Sequence, residues 1–399
     1  MITRTPSDLG FKEIPQKLAN NNQRELSVDV ARGIGIILVV FGHTFQIYSI
    51  TSYIYSFHIP LFFLLSGLTF NTEKYFHCPK RFLRDSFLKL IIPYFIAAMF
   101  SYVLYVFVAP TLSLPKIDVD SAAIGILSGN GNALPFNLGL WFLPAFFFAG
   151  IIFLALTLSF KGMKLFIGVF LVSISGILIG TAYSLPFGLD IAMVTQIFIY
   201  CGYLLKKAQL LAKIRNSKTR SITICILAQL LLIVMFSLSS MNDRIDLMTR
   251  AYGEPVLFFV TGLVGSISIL MFSIFLSMRN PSNNYVSKFF QFIGKASMSI
   301  FMTHILIFYC VASVFALLWG FWVYYTFATF WYLLLALGLF IPSLVYFLLI
   351  FIGKKPMIKK IPVLLLRSLG VKSISKKDFP SKNIRIIKKR LNSHYHYTE

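Results

Sequence analysis

The chain has 399 residues, of which 57% are hydrophobic and only 13% charged, with 42 phenylalanines and a formal net charge of +23. So few polar side chains cannot cover a globule of this size, which excludes a soluble enzyme and makes the chain a polytopic membrane protein. The positive charge then reads as membrane topology and attraction to anionic lipid, and nucleic-acid binding is set aside.

In chain order, residues 1–28 form a polar cytoplasmic N-terminal tail. It lacks the apolar core and cleavage site of a signal peptide, so the first span is an uncleaved anchor. An all-α domain follows over residues 29–353, with ten spans of the roughly 20 apolar residues that a hydrocarbon core requires. Their approximate limits are Arg32 to Ile50, Tyr53 to Phe70, Leu88 to Val108, Trp141 to Phe160, Leu165 to Tyr183, Phe187 to Leu205, Ile222 to Ser240, Pro255 to Met278, Phe290 to Trp319, and Phe327 to Ile352. With both termini cytoplasmic, only Lys116, Arg244 and Arg250 of the 37 basic residues fall outside, as the positive-inside rule requires.

Three connections stand out. The cytoplasmic loop 71–86 carries Lys80, Arg81 and Arg84, with Lys89 just beyond. The outer loop 110–140 is long and rich in Gly, Asn, Pro and Ser, and is placed to cover an acceptor site before Trp141. The stretch Lys206 to Arg220 is basic without an acidic residue and reads as a topology determinant. Residues 354–399 form a basic cytoplasmic C-terminal tail, opening with an interfacial amphipathic segment at 357–367. Cys78, Cys201, Cys225 and Cys310 have no metal-ligand spacing, so free thiols and no metal site are expected.

The chemistry concentrates in the first two spans. An ionisable side chain inside a bilayer is costly and needs a reason to be there. Arg32 and His43, eleven residues apart, fall about 20° from the same helix face and roughly 16 Å apart along the axis. Arg32 is thus expected near the cytoplasmic interface and His43 near mid-membrane. Asp29, one turn before Arg32, is placed to pair with it or orient it. An imidazole that titrates near neutrality suits the removal of a proton from a hydroxyl. Phosphates of a donor at the cytoplasmic mouth would be held by Arg32, Arg81, Arg84 and Lys89. Each signal also has a plain structural reading. His43, His58 and His304 can simply bond neighbouring helices, Arg81 and Arg84 can snorkel, Trp141 can belong to an aromatic belt, and Ser66-Gly67 can serve close helix packing.

The segment Asp29-Val30-Ala31-Arg32-Gly33-Ile34-Gly35-Ile36, ending in Gly42-His43, resembles the first-helix signature of the acyltransferase-3 membrane family, an Arg followed by ten residues and a His. The similarity extends to Phe57-His58-Ile59-Pro60-Leu61-Phe62-Phe63-Leu64-Leu65-Ser66-Gly67, to the Arg81/Arg84 pair before Ile92-Pro93-Tyr94, to Leu140-Trp141-Phe142-Leu143-Pro144, and to the Gly294 to His304 segment. The Phe57 to Gly67 and Trp141 to Pro144 segments look most like a fucose 4-O-acetylase-like branch. The resemblance implies acetyl-CoA as cytoplasmic co-substrate with no bound cofactor, a carbohydrate hydroxyl as acceptor, His43 as base, and Arg32, Arg81 and Arg84 at the donor.

The expectation is therefore a multi-pass O-acetyltransferase of a bacterial inner or plasma membrane, acting on a cell-envelope carbohydrate among membrane lipids, with homo-oligomerisation left open. His43 and Asp29 form its catalytic set, Arg32, Arg81, Arg84 and Lys89 its donor set, and His58, Ser66, Trp141 and His304 acceptor or supporting positions. Transfer can be direct or pass through an acetyl-histidine. The rivals are an envelope glycan transporter or flippase, disfavoured because the 14 acidic residues read as loop, tail or span-edge positions, and an acyltransferase with another donor or a lipid or protein acceptor.

Overall fold

Hydrocarbon offers no hydrogen-bond partner to a backbone, so a spanning segment must satisfy its own amides and carbonyls, and a helix does this locally. The computed structural model describes residues 13–45, 47–134, 136–209, 218–278, 284–320 and 323–353. Regular structure among them is helical, apart from one isolated bridge between Asp246 and Ala251. Nine of the described segments are long and apolar enough to cross a membrane: Leu26–Thr44, Tyr48–Thr69, Pro79–Leu112, Leu138–Ser159, Gly162–Ala182, Ile222–Ser239, Pro255–Met278, Ser297–Trp319 and Trp331–Phe351. A tenth comes in two pieces, Pro186–Val194 and Gln196–Lys207, bent by 53°. The protein is polytopic and all-α, as its composition demands.

The helix Glu13–Thr44 carries the first span. It packs against His58–Thr69, Pro255–Met278, Tyr285–Lys295, Ser297–Trp319 and Trp331–Gly353. Glycines bring backbones together at two of the closest crossings. Gly33 lies against the Phe290 carbonyl and Gly294 against that of Asp29, while Gly67 faces the Ile199 carbonyl and Gly202 that of Leu64. At each of these points a carbonyl occupies the space a Cβ would need, which is how small residues let membrane helices approach.

The first span differs from its sequence-based limits. It runs Leu26–Thr44 instead of Arg32 to Ile50, because the helix begins at Glu13, inside the expected tail, and stops at Thr44. There the Thr44 hydroxyl turns back on the Phe41 carbonyl at 3.1 Å, and the chain restarts as the short helix Tyr48–Tyr55. Loop 71–86 is itself largely helical. It contains the helices Thr72–Phe76 and Pro79–Ser86, the latter continuing through the π-helical turn Phe87–Ile91 into Ile92–Val108.

Because spans alternate in direction, the connections 113–137, 183–185 and 240–254 gather at the end where the first helix stops. The first of these holds its own helix, Val119–Ser128, started by the Asp118 side chain accepting from the Ser121 amide at 2.6 Å. Those hydrogen bonds keep the Asp118 carboxyl below its ordinary range. Three tyrosines of Ile92–Val108 tie the loop down: the hydroxyls of Tyr94, Tyr102 and Tyr105 donate to the carbonyls of Ile126 (2.7 Å), Ile117 (3.1 Å) and Pro115 (2.8 Å). The amphipathic segment 357–367, the rest of the C-terminal tail and residues 210–217 of the basic stretch lie outside the described residues.

Candidate active site

His43 occupies the last turn of the first helix, yet its neighbours come from the middle of theirs. The His304 ring lies 5.4 Å away between centroids, and His304 is the eighth residue of the 23-residue helix Ser297–Trp319. On the other side the Tyr55 ring is 6.4 Å from His43 and 4.9 Å from His58, and His58 is the eleventh residue of the 22-residue span Tyr48–Thr69. The first helix therefore ends inside the bundle and leaves a space beyond its last turn.

That space is a cavity of about 160 Å³. His43, Tyr55, His58, Trp141 and Asp246 supply its polar and aromatic lining, and Val39, Ile59, Phe142 and Phe301 its apolar walls. Asp246, Leu247 and Met248 close it from the loop end. The segment Leu138–Trp141 is held in place by Asn137, fully buried, whose amide nitrogen donates to the Ser101 hydroxyl and the Met302 carbonyl, both at 3.0 Å. Gly139 presses against the Ser297–Trp319 helix, where a Cβ would come within 3.4 Å of Ile305 and 3.8 Å of His304.

The closing segment 240–254 is anchored by a buried ion pair. Arg250 Nε donates to Asp190 Oδ2 at 2.8 Å and Nη2 to Oδ1 at 3.3 Å, with Asp190 fully buried. The same guanidinium reaches Asn130 Oδ1 (2.9 Å) and the Met248 carbonyl (2.8 Å). Two connections and the start of the bent span, distant in sequence, thus meet at one side chain. Arg250 adopts a left-handed backbone (φ 63°), a conformation that costs a non-glycine residue about 1 kcal/mol or more and persists where the surroundings over-determine it. Asp190 lies at the edge of its span, as the sequence places it, and is buried there against the Arg250 guanidinium.

Charge at the cavity comes from the same segment. The Arg244 guanidinium sits 4.3 Å from the Tyr55 ring centroid and 5.5 Å from that of Tyr48, within cation–π range. Burial pushes the Asp246 carboxyl above its ordinary range, against the opposing pull of the Met248 amide at 3.0 Å and of Arg244.

The sequence-derived site residues divide into two groups. His43, His58 and Trp141 line the cavity and His304 stands directly behind it, so Trp141 is a buried wall and not a belt residue. Arg32, Arg81, Arg84 and Lys89 lie at the opposite end of the bundle, outside the lining. Arg32 pairs with Asp29 at 3.8 Å, and Arg81 with Asp85 at 3.9 Å. Two expectations need correction. Asp29 is fourteen residues from His43 on one continuous helix, roughly 21 Å away, so it can orient Arg32 but reaches neither the His43 ring nor the cavity. Ser66 is turned away from the cavity and donates to the Phe63 carbonyl at 2.7 Å, while its neighbour Gly67 serves helix packing. Sequence reasoning passed over Tyr55, Asn137 and Asp246 and gave Arg244 only a topological role. A carboxylate in an outer loop of a chain with 14 acidic residues was the one available signal.

The described helices thus form a membrane bundle with a histidine-lined cavity beyond the end of the first helix and the guanidinium groups of Arg32, Arg81 and Arg84 away from it. A family model described as an acyltransferase domain matches residues 25–346, and the chain belongs to the acyltransferase-3 family. It is a multi-pass membrane acyltransferase. Comparisons with curated proteins and with solved structures give no match.

Proposed function

We propose that the protein transfers the acetyl group of acetyl-CoA to a hydroxyl of a cell-envelope carbohydrate, in a polysaccharide or on a lipid carrier, with His43 as general base. The observation that carries this reading is the position of His43, presented to a cavity at the end of the helix that also carries Arg32. The similarity of the Phe57 to Gly67 and Trp141 to Pro144 segments to the fucose 4-O-acetylase-like branch supports acetyl as the group moved. The two-ended arrangement supports a donor entering past Arg32, Arg81, Arg84 and Lys89 on the cytoplasmic side, its phosphates held there and its thioester at the end of a long extended arm.

The acceptor enters from the end closed by segment 240–254, where aromatic rings and the Arg244 and Asp246 charges offer the stacking faces and hydrogen-bonding groups that a sugar uses. A nitrogen of the His43 ring takes the hydroxyl proton as the oxygen attacks the thioester carbonyl carbon. The C–S bond then breaks, and the leaving thiolate takes the proton from the imidazolium, so the products are an acetyl ester and the free thiol. Apolar walls limit water and hence hydrolysis of the thioester. Mass spectrometry of envelope polysaccharide from cells with and without the gene tests the reading. The expected result is loss of an acetyl ester from the repeating unit, and an unchanged acetylation pattern rejects it.

A further inference from the structure

His304 contributes nothing to the cavity lining, yet it carries a buried atom without a partner. Its ring is fully buried, and Nδ1 lies 2.9 Å from the Ile300 carbonyl and 3.0 Å from that of Phe301. Carbonyl oxygens only accept, so Nδ1 holds the proton and Nε2 holds a lone pair. Nε2 has no hydrogen-bond partner among the described residues. A buried acceptor left in that state costs about 1–3 kcal/mol, and the cost calls for a reason.

The surroundings narrow the choice of donor. The Phe301 and Phe308 rings beside His304 offer none, and the Asn137 amide nitrogen is already spent on Ser101 and Met302. His43 remains. Its centroid is 5.4 Å from that of His304 with the rings tilted by 42°, so a modest turn of a side-chain torsion brings one nitrogen of each to hydrogen-bond distance. His43 itself makes no hydrogen bond with the described residues.

We infer that His304 is the positioning partner of His43: its Nε2 accepts the N–H of the His43 ring and thereby aims the other, lone-pair nitrogen of His43 at the cavity. The assignment rests on the reading of His43 as base and gives that base its orientation. The other groups facing His43 are less suited to the task. The His58 Nδ1 proton goes to the Ile54 carbonyl at 2.8 Å, and its ring lines the open cavity, where substrate can satisfy Nε2. Tyr55 is engaged by Arg244, and Arg244 is a donor. Asp246 accepts from the Met248 amide through Oδ1 and has Arg244, from its own segment, as its charge partner. In the reaction His304 exchanges no proton. It keeps His43 in one tautomer and accepts a stronger hydrogen bond when His43 becomes imidazolium, the part that a carboxylate plays beside other catalytic histidines.

Solid-state NMR of the full-length protein in lipid bilayers, with 15N-labelled histidine, tests this without reference to substrate. The His43 signals are identified by their loss in His43→Asn. The expected spectrum has His43 in a single neutral tautomer, coupled through the hydrogen bond to the His304 acceptor nitrogen. In His304→Leu the coupling disappears and His43 divides between both tautomers, while His304→Gln, whose amide oxygen can accept, keeps the single tautomer. In acetyl transfer, His304→Leu lowers kcat by about 10- to 100-fold with the KM for acetyl-CoA unchanged, and His304→Gln restores most of the loss. The inference is overturned if wild-type His43 shows both tautomers or no coupling to His304, a result that needs no variant to fold. It is equally overturned if His43 keeps its tautomer in a folded His304→Leu. Absence of acetyl transfer in the wild type alongside the expected spectra rejects the proposed function and leaves the His43–His304 pairing standing.

Discussion

His58 and His304 each give their Nδ1 proton to a carbonyl four residues back in the chain, so both imidazoles reach the chamber region as acceptors. The charges that face them are of another kind, because Arg244 and Asp246 come from a connection and not from a span. Since burial raises the Asp246 carboxyl, the fold disfavours its charged form. Whatever stability the group contributes is present at low pH and declines as pH rises through the raised value. Asp246→Asn removes a charge the fold holds at a cost, while its side-chain oxygen can still accept from Met248. The expected outcome at neutral pH is an unfolding midpoint equal to or above wild type, with a weakened KM for the acceptor. A lower midpoint in thermal unfolding contradicts this. At this scale the sequence disclosed what lies on one helix. Arg32 and His43 share a face because periodicity alone decides it, and for the same reason Asp29 could be placed beside Arg32. Tyr55, Asn137 and Asp246 escaped notice because their relation to His43 is made by folding together segments far apart in the chain.

Among elements, the end of the first helix does most to create the site. Its apolar run continues through Phe45, Ile47 and Ile50, so hydropathy extends the span across the break at Thr44, and the cavity that this break opens was not legible. Glycine contacts fix how closely the surrounding helices approach. Gly67→Ala places a methyl group where the Ile199 carbonyl sits, and overpacking of this kind is expected to destabilise the protein by about 1–3 kcal/mol, measured by denaturant unfolding in detergent. A neutral result shows that the two helices can separate without cost. The Asp190–Arg250 pair, sixty residues apart, makes a sharper case. Asp190→Asn leaves Arg250 buried without its counter-charge and should cost about 3–5 kcal/mol, whereas Asp190→Asn combined with Arg250→Gln should cost less because neither charge remains. Hydrogen exchange over residues 240–254 should quicken in both variants, since the anchor is lost in each. Unchanged exchange in the double variant shows that the segment is held by other contacts.

For the whole molecule, composition decided the fold class and hydropathy located the spans, because a bilayer imposes one solution on every segment that crosses it. Ten spans were expected, and nine segments plus one bent pair are present among the described residues. The bent pair could not be anticipated, since its two halves are as apolar as one straight helix. Sequence also placed Arg32 toward the basic side and His43 deeper on the same helix face, and in the bundle His43 lines the chamber while Arg32, Arg81, Arg84 and Lys89 stand outside its lining. The account stands or falls on His43 at the chamber. The most direct test compares purified wild-type protein and His43→Asn in bilayers for transfer of labelled acetyl from acetyl-CoA to isolated envelope polysaccharide, with thermal unfolding and acetyl-CoA binding measured on the same preparations. The predicted result is a loss of transfer of about 100-fold or more with stability and donor binding retained. Transfer by the folded variant at the wild-type rate would contradict the account.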